Sequence, residues 1–458
     1  MGYAAMGLGA LLLVAAAVAG LNYSFSKKAP AKAPGSLQPA EIALRLHGSN
    51  TVGAKLAPAL AEAFFKKRGG KEVTLVPGAN PEEMTVSASL PGKAAPQAIE
   101  IAAHGSATAF QDLASGKCDI GMASRKVKPE EAQTLATAGD MTSPACEHVL
   151  ALDGIAVIVN VNNDRVSQLS KSQVADIFSG AIADWSKVGG EPGPIHLYAR
   201  DDKSGTYDTF KALVLGKEGK LAAGAERFED NAALRNKVLA DPGGIGFVGL
   251  PYAVGAKVVA ISEPGASPFV PTKFTVSTED YALSRRLFLY TPVHSTNPLV
   301  MDFVEFCLSA EGQTVADEVG FVGLNLDLVA LSTPQDAPAE YRSLTQGARR
   351  ANLNFRFRSS GAQLDNKGLR DLVRLERYLE TRRSQMPKFY LFGFADSQGT
   401  AEGNLAISTE RAKAVAQLFR ASGIIPEIVK GFGGTNFVAD NETEEGRQKN
   451  RRVEVWLK

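Results

Sequence analysis

The chain has almost no surplus of either charge: 50 Lys and Arg face 49 Asp and Glu, a formal net charge of +1 at pH 7. A nucleic-acid binder shows its basic excess openly, so nothing here points to that partner. Histidine is scarce, with five at 47, 104, 148, 196 and 294, and none stands in a zinc spacing such as His-Glu-x-x-His or beside a nucleophile elbow. No metal or cofactor is therefore expected. Cysteine is scarcer still, at Cys118, Cys146 and Cys307. Internal repeats and long low-complexity tracts are missing. What remains is 458 residues, 45% hydrophobic and 22% charged, enough for two or three folded domains.

One stretch lacks charge altogether. Gly2 to Phe25 contains no ionisable acid or base, is apolar from Met6 to Leu21, and is followed by Lys27-Lys28. Ala17-Val18-Ala19 offers a signal cleavage site, yet the run is long and lacks a cationic start, so a membrane anchor over residues 3–25 stays open beside a signal peptide. Residues 27 to 38, rich in Ala, Pro and Lys, read as a linker.

From about 40 to 330, short apolar strands alternate with helical patterns, an α/β arrangement. Ile42–His47 alternates like a strand, Gly48-Ser49-Asn50-Thr51-Val52-Gly53 follows, and a helix with Leu56, Leu60 and Phe64 on one face comes next. That order aims free N–H groups and hydroxyls at one point before a helix N-terminus, where anions are favoured. The order recurs at Ile195–Arg200, Asp201-Asp202-Lys203-Ser204-Gly205-Thr206 and a helix with Phe210, Leu213 and Val214. Here Arg200 adds a cation that can fork onto two oxygens, and Gly205 lets the backbone approach closely. Ser124-Arg125 ends a third strand, and His104-Gly105-Ser106 opens the helix before it.

The last third carries the most specific wording: Gly393-Phe-Ala-Asp396-Ser-Gln-Gly399, then Ile407–Ala412 with Arg411, then Gly446-Arg-Gln-Lys-Asn-Arg451-Arg452-Val-Glu-Val455. Strands are expected at 352–358, 388–394, 428–432 and 452–457. Helices are expected at 364–382, with Leu369, Leu372, Val373, Leu375 and Leu379 on one face, and at 402–421, ended by Gly423. Over residues 350–458 this resembles the OmpA-like peptidoglycan-binding domain. The resemblance implies Asp396 and Arg411 as the acid and guanidinium that take the ammonium and carboxylate of diaminopimelate. Asn404, Arg451 and Ser360 are the further contacts, and the compartment is the periplasm of a Gram-negative bacterium. An oxidising periplasm permits a Cys118–Cys146 disulfide; three buried thiols are the alternative.

Over residues 40–330 the chain resembles the phosphate-binding protein of the phosphate-specific ABC transporter, a two-lobed periplasmic fold. The resemblance implies Ser49, Thr51, Val52, Ser106, Ser124 and Arg125 from the first lobe, and Arg200, Ser204, Gly205 and Thr206 from the second, as phosphate contacts. Asp153–Asn160 would carry the chain into the second lobe and Gly243–Gly249 would lead it back. Arg125 stands where some relatives have an acid that accepts the proton of hydrogen phosphate, and Asp202 is placed to orient Arg200. A catalytic reading would need a base beside Ser49 or Ser204; His47 and His196 are read as structural.

The expected organisation is a leader with linker at 1–38, a phosphate-binding-like domain at 39–331, a linker at 332–346 and a wall-binding domain at 347–458. The expected function is capture of phosphate or a related oxyanion by a non-enzymatic, cofactor-free, wall-tethered protein, with an ABC permease as a further partner. An envelope scaffold or sensor with a degenerate solute domain is the alternative.

Overall fold

The computed structural model describes residues 39–458 apart from 81, 203, 217, 359, 360, 383, 385 and 386. The leader, its linker and Ser360 therefore lie outside the described residues. No helix among the described residues is long and apolar enough to cross a membrane.

An 11-stranded sheet runs through both lobes of the middle region. From the outer edge of the first lobe the order is Lys71–Pro77, Glu83–Ser89, Gln97–Ala102, Glu41–Gly48 and Ile120–Ala123. Ser284–Tyr290 and Glu147–Val159 come next, then Gly244–Gly249, His196–Arg200 and Glu226–Phe228 in the second lobe. Lys257–Val258 pairs beside Glu147–Val159. Glu41–Gly48 is parallel to both neighbours, and His196–Arg200 is parallel to both of its own. Loops at the carboxyl ends of parallel strands are where such sheets hold ligands. Ser49 and the segment from Asp201 to Ser204, each leading straight into a helix, occupy those positions.

The strand Glu147–Val159 is buried along all 13 residues, because it belongs to both lobes. Its first part pairs with Ser284–Tyr290, from Glu147↔Tyr290 to Gly154↔Ser284, and its second with Gly244–Gly249, from Ile155↔Gly249 to Val159↔Ile245. Gly154 marks the handover: a Cβ there would come within 2.7 Å of Val276 Cγ2. The handover lies within Asp153–Asn160, where the crossing into the second lobe was expected. The return expected at Gly243–Gly249 is corrected, since that strand stays in the second lobe. The chain regains the first lobe at Ser284–Tyr290, which also pairs with Ile120–Ala123.

The C-terminal region is a five-stranded sheet ordered Leu328–Ala330, Arg349–Arg356, Arg452–Leu457, Phe389–Gly393 and Ile428–Gly431. Helices Asn366–Glu380 and Ala401–Ala421 cover one face, over Phe355, Leu375, Leu391, Val415 and Phe419. Val373, expected on the apolar face of the first helix, is exposed. The linker expected at 332–346 is folded. Ala339–Thr345 is helical, and Tyr341 is buried among Phe392, Phe394, Phe432 and Trp456 with its hydroxyl donating to Glu454 at 2.6 Å.

The other face of Arg349–Arg356 presents Arg350, Asn352, Asn354 and Arg356, and all four are buried. Alternation of apolar and polar residues normally marks a half-solvated strand. Here the polar face packs on the middle region. Arg350 pairs with Asp280 at 3.1 Å and Arg356 with Glu279 at 3.3 Å, while Arg356 donates to the Thr278 carbonyl at 2.8 Å. Arg286 reaches Glu279 at 2.6 Å and Asp365 at 2.7 Å. Burial alone would raise the Glu279 carboxyl, yet Arg286 and Arg356 hold it well below the usual carboxylate range. Residues Ala40–Lys458 accordingly form one compact unit.

Cys118, Cys146 and Cys307 are all free and buried, which corrects the expected Cys118–Cys146 disulfide. Each sulfur has its own surroundings. Cys146 faces Ser143 and Gly139, where a Cβ would lie 2.9 Å from Sγ, and burial pushes the Cys118 thiol up to about 12.

Candidate binding sites

The first-lobe loop enters a helix that starts at Asn50, turns through a π segment at Val52–Leu56 and continues as Ala57–Lys67. Ser49 spends its N–H on the Met122 carbonyl at 2.8 Å, and its own carbonyl accepts from Gly53 N. Val52 is fully buried, so its side chain packs rather than faces a ligand. Thr51 points its hydroxyl across the lobe junction. In the second lobe Ser204 caps the helix Gly205–Phe210 by accepting from Tyr207 N at 3.3 Å, and a π segment at Lys211–Leu215 follows. Thr206 is half-buried in the first turn. Gly205 packs directly on Thr51; a Cβ would come within 2.5 Å of Thr51 Oγ1, so only glycine allows this approach.

The cation at this junction is Arg285, which sequence reasoning missed. It lies on the return strand, directly across from Asp153. Its Nη2 donates to Thr51 Oγ1 at 2.8 Å and to the Gly205 carbonyl at 3.0 Å, and Nε lies 3.4 Å from Asp153. One guanidinium therefore ties together both helix-opening segments. Burial lowers the Arg285 pKa although Asp153 and Asp208 support its charge.

Arg200 is placed differently from expectation. Its Nε donates to the Phe228 carbonyl at 3.2 Å and its Nη2 to the Glu229 carbonyl at 2.7 Å, which fixes it to the neighbouring strand end. Asp202 does not orient it; that carboxylate pairs with Arg227 at 2.7 Å. Ser106 and Ser124 are brought together, their hydroxyls 3.2 Å apart, with Ser124 N donating to Ser106 Oγ at 3.0 Å. Both line a cavity of about 600 Å³ that also meets Arg125 and Arg285. Arg125 is held by both oxygens of Glu131 at 2.7 Å. His47 sits between Asp112 at 2.8 Å and Glu100 at 3.4 Å, and His196 lies 2.7 Å from Asp241.

In the C-terminal domain, Asp396 lies three residues beyond the buried strand Phe389–Gly393 and accepts from Arg451 Nη1 at 2.8 Å and from Gln398 N at 3.0 Å. Gly434 sits beside both Asp396 and Asn404: a Cβ there would lie 2.8 Å from the Asp396 carbonyl oxygen and 3.2 Å from Asn404 Nδ2. Arg411 is buried on the helix Ala401–Ala421, its guanidinium 5.6 Å from the Phe357 ring centre. Burial, with Arg451 nearby, lowers its pKa to about 10, and Asp396 opposes that fall. Burial opposes the charge of Arg451 as well, but Glu444 and Asp396 hold its pKa above the ordinary value. The structure thus brings Asp396, Asn404, Arg411 and Arg451 to one corner.

Two lobes joined by shared strands, with anion loops facing each other across the junction, define the class of two-lobed solute-binding proteins. The PBP superfamily domain matches residues 81–311, and the OmpA family matches residues 356–451. The phosphate-binding protein PstS of Staphylococcus epidermidis is 33% identical over 226 residues, covering 48% of this chain and 67% of that relative. Among solved structures, an ABC-type phosphate transport receptor from Vibrio cholerae is similar over 61% of this chain and 99% of its own, at 23% identity and a TM-score of 0.47. The peptidoglycan-associated lipoprotein from Burkholderia pseudomallei is similar over 23% and 89%, at 22% identity and a TM-score of 0.22. The chain belongs to the PBP superfamily and carries an OmpA-family domain in its C-terminal region.

Proposed function

We propose that this protein captures phosphate, or a closely related oxyanion, between its two lobes while its C-terminal domain grips the cell wall of a Gram-negative bacterium. One observation carries the reading: Arg285 reaches Thr51 and Gly205 together, so a guanidinium stands where two helix-opening loops converge. Thr51, Ser106, Ser124, Ser204 and Thr206 supply hydroxyls, and Arg200 supplies its remaining N–H groups from the edge of the second lobe. The anion exchanges water for fixed donors, and charge-assisted hydrogen bonds are the strong ones. No chemistry follows capture, since His47 and His196 face carboxylates rather than serine hydroxyls.

In the wall site, Asp396 meets the ammonium of diaminopimelate, while Arg411 and Arg451 meet its carboxylate, with Asn404 at the rim. The leader is a signal peptide or an inner-membrane anchor, and an ABC permease receives the released ligand. A second reading, a scaffold or sensor that no longer takes solute, is favoured by the Thr51 hydroxyl lying only 3.5 Å from the Gly205 carbonyl. Titrating the protein calorimetrically with inorganic phosphate decides between them. Saturable binding supports capture, and no heat at millimolar phosphate supports the scaffold. Co-sedimentation with isolated sacculi, competed by free diaminopimelate, tests the wall half.

A further inference from the structure

The cavity beside Arg285 has a third wall, because the C-terminal domain closes it. Ser106 and Ser124, Arg285, and Thr443, Gln448 and Lys449 from the C-terminal domain all line it. Its volume, about 600 Å³, falls among small-molecule sites, which run roughly 300–1,000 Å³. A five-atom oxyanion fills little of it.

Charge narrows the occupant. Seven cations and five carboxylates line the cavity, and two carboxylates outside that lining, Glu131 and Asp153, pair with Arg125 and Arg285. Most of the cations are already matched: Arg125 by Glu131, Lys171 by Glu263 at 2.8 Å, Arg286 by Glu279 and Asp365, and Arg356 by Glu279. Lys449 is not. Its ammonium has no hydrogen bond or ion pair with any described residue, and burial together with nearby Arg356 and Lys171 lowers its pKa despite Glu263. A cation kept half-buried without a partner is costly, and an anionic ligand relieves that cost.

We propose that the cleft takes a phosphomonoester of a small polyol or sugar, with its phosphoryl group between Arg285 and Lys449 and its hydroxylated part against Thr443 and Gln448. Lys449 is then the residue by which the wall-binding domain sets solute specificity. The proposal rests on the oxyanion reading above. The Lys449 ammonium, without an ion pair among the described residues, favours an anionic group, and the side-chain amide of Gln448 and hydroxyl of Thr443 suit hydroxyls rather than an apolar tail.

The test titrates the full chain calorimetrically with inorganic phosphate, glycerol 3-phosphate and glucose 6-phosphate, then repeats it with Lys449→Met and Lys449→Arg. The expected result is at least tenfold tighter binding of one ester than of phosphate. Lys449→Met should weaken that ester about tenfold and phosphate less than threefold, and Lys449→Arg should restore it. Matching thermal melts show that the variants fold. Phosphate binding tighter than both esters, or a Lys449→Met variant that leaves the ester unchanged or weakens both ligands alike, overturns the proposal alone. Failure of all three ligands to bind overturns it together with the oxyanion reading.

Discussion

Asn354 donates its side-chain amide to Asp280 Oδ1 at 2.9 Å, joining the wall-binding domain to the loop that precedes the Arg285 strand. Asp280 also takes Arg350 at 3.1 Å, and all three residues are buried. Removing one member of a buried ion cluster strands the others, which costs about 3–5 kcal/mol. Asp280→Ala should therefore lower unfolding stability by about that amount in urea titrations, and Asp280→Asn by clearly less. A loss below about 1 kcal/mol for the alanine variant would show that the two domains do not depend on this contact.

Arg285→Ala should weaken phosphate binding about 100-fold by calorimetry, because a charged hydrogen-bonding group contributes roughly 1.5–3 kcal/mol. Arg200→Ala should cost less, since two of its donors already serve the Phe228 and Glu229 carbonyls. If Arg200→Ala proves the more damaging, Arg285 is a structural tie between the lobes and the anion sits nearer the second-lobe loop.

Asp396→Ala and Arg411→Ala should each reduce co-sedimentation with sacculi about tenfold or more while leaving phosphate affinity unchanged. Asp396→Ala also leaves Arg451 with Glu444 alone, so its thermal melt must accompany the binding assay. Retention of both variants on sacculi would rule out the corner at Asp396 as the wall site.

Acid should destabilise the fold in a defined window. His148 is buried, with Nε2 3.1 Å from Thr291 Oγ1 and Nδ1 without a partner among the described residues. Burial, aided by Arg370, lowers its pKa from 6.5 to about 4. The folded state keeps the ring neutral while the unfolded chain protonates it near pH 6.5. Between pH 6.5 and 4 the unfolded state thus binds more protons, and stability falls as pH drops, by about 3 kcal/mol in all. Urea midpoints at pH 7, 5.5 and 4.5 check this, and His148→Phe should remove most of the slope above pH 5. A wild-type midpoint that stays flat over the same range would contradict it.

Much of the C-terminal region was legible in the sequence, because its helices and strands announce themselves by period and its acid, amide and arginines stand in a distinctive order. The two units at 41–67 and 196–210 were legible for the same reason: strand, small polar loop, helix. Arg285 was not. Ser284–Tyr290 is an ordinary strand sequence, and only sheet order reveals that it crosses between lobes. The linker reading of 332–346 failed because two prolines outweighed Tyr341, whose burial depends on residues far along the chain. Arg349–Arg356 was legible as a strand but not in what its polar face meets. Its polar alternation is that of a solvated strand, but the water it seems to face is replaced by Glu279 and Asp280, which sequence cannot place opposite it.

The buried polar face of Arg349–Arg356 has a mechanical corollary. A pull applied at Asp396 would pass through Arg451 into the adjoining strand, where Glu454 lies 3.2 Å from Arg350. Arg350 in turn grips Asp280, just ahead of the segment that carries Arg285 between the lobes. If the Asp396 corner holds the wall, tension on it would load the buried ion cluster at Asp280 and, next to it, the strand that carries Arg285.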